Sequence, residues 1–136
     1  MIIDSVKEFL SKECPLISGK KINVNYLGEN QKYSIDTVPA NPVIKKYTDG
    51  GSLRQQIFVF ASQEYYDQET RENLMAAQFY EEFSDWMEGL DKVPELGVGL
   101  KAVRFEILSS GYLYKANTDK ARYQLQFRLI YERGAH

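Results

Sequence analysis

The chain has 136 residues, of which 43% are hydrophobic, 26% charged and 13% aromatic, and its formal net charge at pH 7 is −2. This charge excludes a general affinity for nucleic acid, which needs an excess of basic residues, and a single cysteine excludes an internal disulfide. No stretch approaches the roughly 18 consecutive apolar residues of a membrane-spanning helix. We expect one domain over residues 1–133, with 134–136 as a frayed C-terminal end or a cloning remnant.

The N-terminal region predicts a short helix followed by two strands. Residues 1–13 have the apolar spacing of an amphipathic helix, and Pro15 ends it because proline disfavours helical geometry in the residue before it. The apolar face consists of Ile2, Val6, Phe9 and Leu10. Residues 21–27 and 32–37 alternate in polarity around a turn at 28–30, so the pair predicts a β-hairpin.

A proline-rich connector precedes the first long strand. Two prolines at positions 39 and 42 favour an exposed, extended segment, and 43–47 continues it as a short extended run. Asp49-Gly50-Gly51 has the residues of a tight turn. The strand predicted over 52–66 is apolar on both faces, which indicates a central position in the sheet. We expect three of its side chains to be nearly inaccessible: Ile57, Val59 and Phe60.

The segment 67–90 predicts the main helix, with Asp67 as its N-terminal cap. One face is aromatic, with Phe79, Tyr80, Phe83 and Trp86 at helical spacing. The opposite face is acidic and carries Glu72, Glu81, Glu82, Asp85 and Glu88. After a loop over 91–99, two further extended segments are predicted at 100–109 and 112–114, followed by a turn at 117–119.

The last segment, 121–133, has the clearest pattern in the chain. Its odd positions from 123 to 131 are all apolar or aromatic, and its even positions are polar except Ile130. A period of two held over this length predicts a long, half-buried antiparallel strand. We therefore expect an α+β fold, in which one long helix and a short N-terminal helix pack on a mainly antiparallel mixed sheet.

No catalytic, cofactor-binding or metal-binding constellation is predicted. Cys14 is expected as a small buried side chain at a helix end, since the only histidine, His136, is terminal. Asp49 to Ser52 fits a hairpin turn better than a phosphate-binding loop, because a strand follows it. The acidic side chains Glu81, Asp85 and Glu88 have the spacing of neighbouring metal ligands but are more typical of a solvated face. Likewise, the aromatic face is more typical of packing against a sheet than of a ligand pocket.

Four arginines lie on the polar sides of the predicted strands: Arg54, Arg104, Arg122 and Arg128. They would complement the acidic helix face of a second copy, although a solubilising exposed sheet face is the simpler interpretation of the same pattern.

Five segments carry a family resemblance: CPLI, INVNYLGEN, YSIDTVPANPVIKKYTDGGSLRQQIFVFASQEYY, FYEEFSDWM and GYLYKANTDKARYQLQFRLIY. Together they resemble small proteins of the tail gene clusters of phages and prophages of Gram-positive bacteria, which are often labelled minor capsid proteins. The resemblance covers Cys14 to Tyr131, and its most specific parts are 33–42, 49–65 and 111–131.

This resemblance implies a structural protein of the virion, a tail terminator or tail completion subunit that forms a ring at the head-proximal end of the tail tube. The family has no catalytic signature. Expected partners are further copies of the chain, as a hexamer when assembled, together with the tail tube protein and head–tail connector proteins. DNA is expected only as it passes through the ring channel, and no membrane is expected. The protein would be found in the host cytoplasm during assembly and then in the tail.

Two alternatives remain open at this stage. One is another head–tail connector or a tail tube ring subunit, and the other is a small-molecule-binding α+β domain. The expected interface between copies combines the segment 39–49, the acidic helix face and the strand arginines. Its candidate residues are Pro39, Asn41, Pro42, Lys45, Tyr47, Glu81, Asp85, Arg104, Arg122 and Arg128.

Overall fold

The computed structural model describes residues 2–17, 22–24, 33–65, 70–116 and 120–134. The predicted turns at 28–30 and 117–119, the cap Asp67 and His136 lie outside these residues. Two helices and six strands are present in the described part, which confirms the α+β class. The helices are α1 (Ile2–Glu13) and α2 (Thr70–Glu88). The strands are β1 (Ile22–Val24), β2 (Tyr33–Val38), β3 (Val43–Lys46), β4 (Ser52–Tyr65), β5 (Leu100–Ala116) and β6 (Lys120–Arg133).

The strands form one sheet with the order β1-β2-β4-β6-β5, and β4 is central as predicted. Along one edge, β4 pairs with β6 over its whole length, from Ser52↔Arg133 to Tyr65↔Lys120. Its other edge is shared by two strands, since β2 pairs with residues 57–62 and β3 with residues 52–54. The segment between β2 and β3 therefore interrupts what would otherwise be one long strand beside β4.

The predicted hairpin of the first two strands is wrong, because β1 pairs with β2 in parallel, in the register Ile22↔Tyr33 to Val24↔Ile35. Alternating polarity specifies which face of a strand is buried, and it does not specify strand direction. The parallel arrangement buries both Ile22 and Ile35 in the core.

The main core lies between the helices and one face of the sheet. Phe60 of β4 stacks on Phe83 of α2 with ring centroids 4.8 Å apart, and Phe9 of α1 stacks on Phe105 of β5 at 5.7 Å. The apolar odd positions of β6 face the same side. They are buried, as the alternation predicts: Tyr123, Leu125, Phe127, Leu129 and Tyr131. Burial of this apolar surface is the main stabilising term of the fold.

The face of the sheet that carries no helix also has buried apolar side chains. Val59 and Ile130 are only 7% and 2% exposed, although neither belongs to the main core. Both lie among long polar side chains on neighbouring strands, which cover them. Phe60 and Val59 are nearly inaccessible, as predicted, whereas Ile57 is only half-buried, because its partner in β2 is Val38, the last residue of that strand, and the neighbouring ladder ends there.

The main helix is shorter than the segment predicted for it, 67–90, and does not dominate the fold as a single long helix. α1 has 12 residues, and α2 has 19 described residues ending at Glu88. The two short extended segments predicted after the loop are one strand, β5, with several register shifts against β6. These irregularities curve a long edge strand, and they explain why the alternation of β5 is less regular than that of β6.

Candidate functional site

The candidate interface includes an exposed but ordered segment, residues 39–46, which we call the arm. All of its residues are exposed except Val43, which is half-buried. Three hydrogen bonds fix its start. Asn41 Oδ1 accepts from the Val43 backbone N–H at 3.1 Å, the Asn41 carbonyl accepts from Gln55 Nε2 at 3.0 Å, and the Pro42 carbonyl accepts from the Gln55 backbone N–H at 2.8 Å. The arm is thus held against β4 while its side chains remain available to a partner.

A tight turn connects the arm to β4, as the sequence predicts. Tyr47 donates its backbone N–H to the Gly51 carbonyl at 2.8 Å, and Asp49 Oδ1 accepts from the Gly51 N–H at 2.9 Å. Gly50 has a φ of 93°, a conformation that suits glycine. A hairpin turn of this kind leads strand to strand and does not cradle a phosphate at a helix N-terminus.

The second part of the candidate interface is the acidic face of α2. Glu81, Glu82, Asp85 and Glu88 are all exposed. Gln78 donates to Glu82 at 3.4 Å, and none of the four acids forms an ion pair within the described residues. The last turn of α2 contains no basic residue either, so these four acids of the predicted acidic face are exposed and without a cation among the described residues.

The strand arginines are bonded within their own chain. Arg128 contacts Glu106 at 2.6 Å, and Arg104 contacts the other oxygen of the same carboxylate at 2.7 Å. Arg128 also donates to Gln55 Oε1 at 2.8 Å, so the network crosses three strands. Hydrogen bonds from the Arg128 guanidinium lower the pKa of the Glu106 carboxyl below its ordinary value. The carboxylate is therefore held in its ionised form.

Arg122 belongs to a second pair on the same sheet face, with Asp36 Oδ2 at 3.4 Å. Arg54 lies apart from the other three. The uninterrupted register of β4 and β6 places it on the opposite face, with Phe58 and Phe60, where its Nε donates to Ser52 Oγ at 2.9 Å. The structure thus brings together Arg104 and Arg128, leaves Arg122 in a separate pair and separates Arg54 from all of them.

Cys14 is fully buried after the end of α1, and burial raises the pKa of its thiol. A protonated, inaccessible thiol is a poor nucleophile. Across the described residues, no group of three or more histidine, cysteine, aspartate and glutamate side chains is arranged to hold a metal ion.

The aromatic face of α2 is filled by other rings. Phe79 stacks on Tyr33 at 5.8 Å, and Phe83 packs against Phe60. The Tyr80 hydroxyl donates to the Tyr123 carbonyl at 3.0 Å and lies 2.7 Å from Ser62 Oγ. Its donated proton is committed to the carbonyl, so the serine is the donor to the tyrosine oxygen. These contacts belong to core packing, as the helical spacing indicated.

The loop between α2 and β5 was predicted, but the groove beside it was not. Val98 is fully exposed between Gly97 and Gly99, which both have positive φ. An open groove of about 560 Å³ lies between α1 and the first part of this loop, lined by Phe9, Lys12, Glu13 and Pro94 among others. Alternation and helical spacing could not reveal it, because it depends on how the loop packs against α1.

Neither described helix is long and apolar enough to cross a membrane. Comparison with protein-family models and with curated proteins found no match to this chain.

Proposed function

We propose that the chain is a structural subunit of a phage or prophage tail, a tail terminator that forms a homo-oligomeric ring at the head-proximal end of the tail tube. The proposal begins from the resemblance carried by residues 33–42, 49–65 and 111–131. Its partners would be neighbouring copies of the chain, the tail tube protein and a head–tail connector protein. DNA would pass through the ring.

The observation that carries the proposal is the arm. A segment with two prolines and nearly complete exposure gains little from the hydrophobic core of its own chain. It is nevertheless held in place by two hydrogen bonds from Gln55, to the carbonyls of Asn41 and Pro42, and by the pairing of β3 with β4. An ordered, exposed segment of this kind loses little conformational entropy when a partner binds, which favours a role in contacts between subunits.

A small-molecule-binding domain that uses the aromatic face of α2 is less well supported. That face is occupied by Tyr33 and Phe60, so a ligand would have to displace rings that already pack at 4.8–5.8 Å. The arm supports a ring subunit but does not indicate where along the tail the ring lies. Another head–tail connector or a tail tube ring subunit is therefore the second candidate.

The test is to delete the gene in a phage or prophage that encodes the chain and to image the particles by electron microscopy. We expect tails of irregular length, or tails that fail to join heads, and restoration of normal particles by the wild-type gene. Tails of uniform length that join heads normally in the absence of the protein would refute the terminator role. Tubes that fail to form at all would instead favour the tail tube subunit.

A further inference from the structure

The acidic face of α2 has no cation paired with it among the residues that the structure describes. Asp85 and Glu88 lie towards the C-terminal end of the helix, where the backbone dipole already places partial negative charge. Within the described residues, no lysine or arginine pairs with either acid or with Glu81. This end of α2 therefore favours an approaching positive charge more than an ordinary exposed helix face does.

The arginines of the sheet are poorly suited to supply that charge. Arg104 and Arg128 share the carboxylate of Glu106, and Arg122 is paired with Asp36. To bind a neighbouring helix, each would have to give up a hydrogen-bonded carboxylate, so much of the electrostatic gain would be lost.

Lys45 and Lys46 of the arm are free. Both are exposed, and neither forms an ion pair or a side-chain hydrogen bond in the part of the chain that the structure describes. Ile44 precedes them and is 42% exposed, which makes it one of the few large apolar side chains on the surface. Lys45 and Lys46 are consecutive residues of β3, opposite Leu53 and Ser52, so the two unpaired cations project on either side of this sheet edge, and an acidic helix that lies along the edge complements them.

We infer that the arm of one copy docks on the acidic face of α2 of the next copy, with Lys45 and Lys46 paired to Glu81, Asp85 and Glu88. This inference rests on the proposed function and specifies the contact between neighbouring subunits. It assigns the role of cation to the arm lysines rather than to the strand arginines.

The positions of the two surfaces indicate that the contact forms between copies. β3 pairs with β4 at Ser52, whereas Tyr80, which precedes Glu81, bonds to Ser62 near the other end of β4. Ten residues of strand span about 33 Å, so one chain cannot bring its own arm to its own Glu81. Repeated head to tail around a closing rotation, this contact between two different surfaces generates the ring of the proposed function, whereas the same contact made reciprocally by two copies would generate a two-fold dimer.

The first experiment maps the contact by zero-length carbodiimide cross-linking, which joins a lysine amine to a nearby carboxylate. Isotope-labelled and unlabelled protein are mixed with purified tails that lack their own copy of the protein, cross-linked and analysed by mass spectrometry. We expect mixed-isotope cross-links between Lys45 or Lys46 and Glu81, Asp85 or Glu88. Cross-links between copies that map only to other residues, or an absence of cross-links between copies, would overturn the inference.

The second experiment exchanges the charges. The double variants Lys45→Glu/Lys46→Glu and Glu81→Lys/Asp85→Lys should each weaken assembly on tails about tenfold or more, because each replaces attraction by repulsion. The fourfold variant that carries all of these substitutions has the wild-type net charge and should recover assembly. Glu8→Lys, at an exposed position of α1, is the control for a change of charge alone. Thermal melting of each variant verifies that it is folded.

The outcomes separate this inference from the function on which it rests. If both double variants assemble like the wild type, or if the fourfold variant is no better than either of them, the contact is wrong although the terminator role stands. If tails are normal without the protein, the terminator role is wrong whatever contact the cross-links reveal.

Discussion

Gly111 of β5 lies directly against Tyr80 of α2. A Cβ atom placed on Gly111 would be 2.3 Å from both Cβ and Cγ of Tyr80, and neither of these atoms is at the free end of a flexible side chain. Tyr80 is also fixed at its hydroxyl, through Ser62 and Tyr123. The glycine therefore sets how closely the helix approaches the sheet.

Replacing this glycine by alanine should destabilise the fold. Gly111→Ala forces α2 away from β5 or distorts the strand, and we expect a loss of about 3 kcal/mol in the free energy of unfolding, as for overpacking of a core. Chemical denaturation monitored by circular dichroism would measure it. Gly89→Ala is the matched control, since a Cβ there would make only an ordinary contact of 3.4 Å with the Asp85 carbonyl oxygen. Equal stability of the two variants would contradict the close approach.

The buried centre of β4 should not tolerate a charged side chain. Val59→Asp places a carboxylate at a position that is 7% exposed, where no cation is opposite it in the register of β4. An unpaired buried charge costs several kcal/mol, a large part of a total stability of about 5–15 kcal/mol, so we expect an unfolded or insoluble protein. Val98→Asp introduces the same side chain at a fully exposed position and should melt like the wild type. Unchanged melting of Val59→Asp would refute its buried position.

The Glu106 network should make the free energy of unfolding depend on pH in the acidic range. Because Arg128 lowers the pKa of Glu106 in the folded protein below the ordinary 4.5, the stabilisation is fully present above about pH 4.5 and is lost as pH falls through the folded value. Glu106→Gln should therefore be less stable than the wild type at pH 7, and the difference should shrink towards pH 3. Glu81→Gln removes an exposed carboxylate outside the network and serves as the control. A difference in unfolding free energy that is constant with pH would contradict this account.

Cys14 should be chemically silent in the folded state. Its thiol is fully buried and its pKa is raised, so a thiol-reactive chromogenic reagent should label it slowly in native protein and rapidly after denaturation. Cys14→Ser and deletion of His136 should both leave assembly on tails intact. Loss of assembly in a folded variant of either kind would show that Cys14 or His136 has a role in assembly.

Strand position and burial were predictable where the pattern was periodic. The alternation of 121–133 identified the buried face of β6, and the two apolar faces of 52–66 identified β4 as central. The turn at Gly50 followed from residue types alone, because few residues other than glycine adopt its φ of 93°. In these cases, the residue types at neighbouring positions along the chain are enough to predict the local structure.

The structural features that the sequence pattern did not predict depend on contacts between residues that are distant along the chain. The parallel direction of β1 could not be inferred from its own alternation. The arginines of β6, Arg128 and Arg122, looked available for a partner because their carboxylates, Glu106 and Asp36, lie on other strands and are brought near only by the fold of the sheet. The need for glycine at position 111 likewise comes from Tyr80, which lies in a different element.

β2 and β3 pair with different parts of the same edge of β4. The register of one strand therefore does not depend on the register of the other. β2 is fixed by six consecutive pairs with β4, whereas β3 pairs with its own part of β4 and contains a shift between Val43 and Lys45. Since no ladder runs through residues 39–42, extra residues inserted after Ala40 would lengthen the connector without sliding either strand. An insertion at this point should therefore leave the fold intact while it disturbs the contacts that the arm makes with a neighbouring copy.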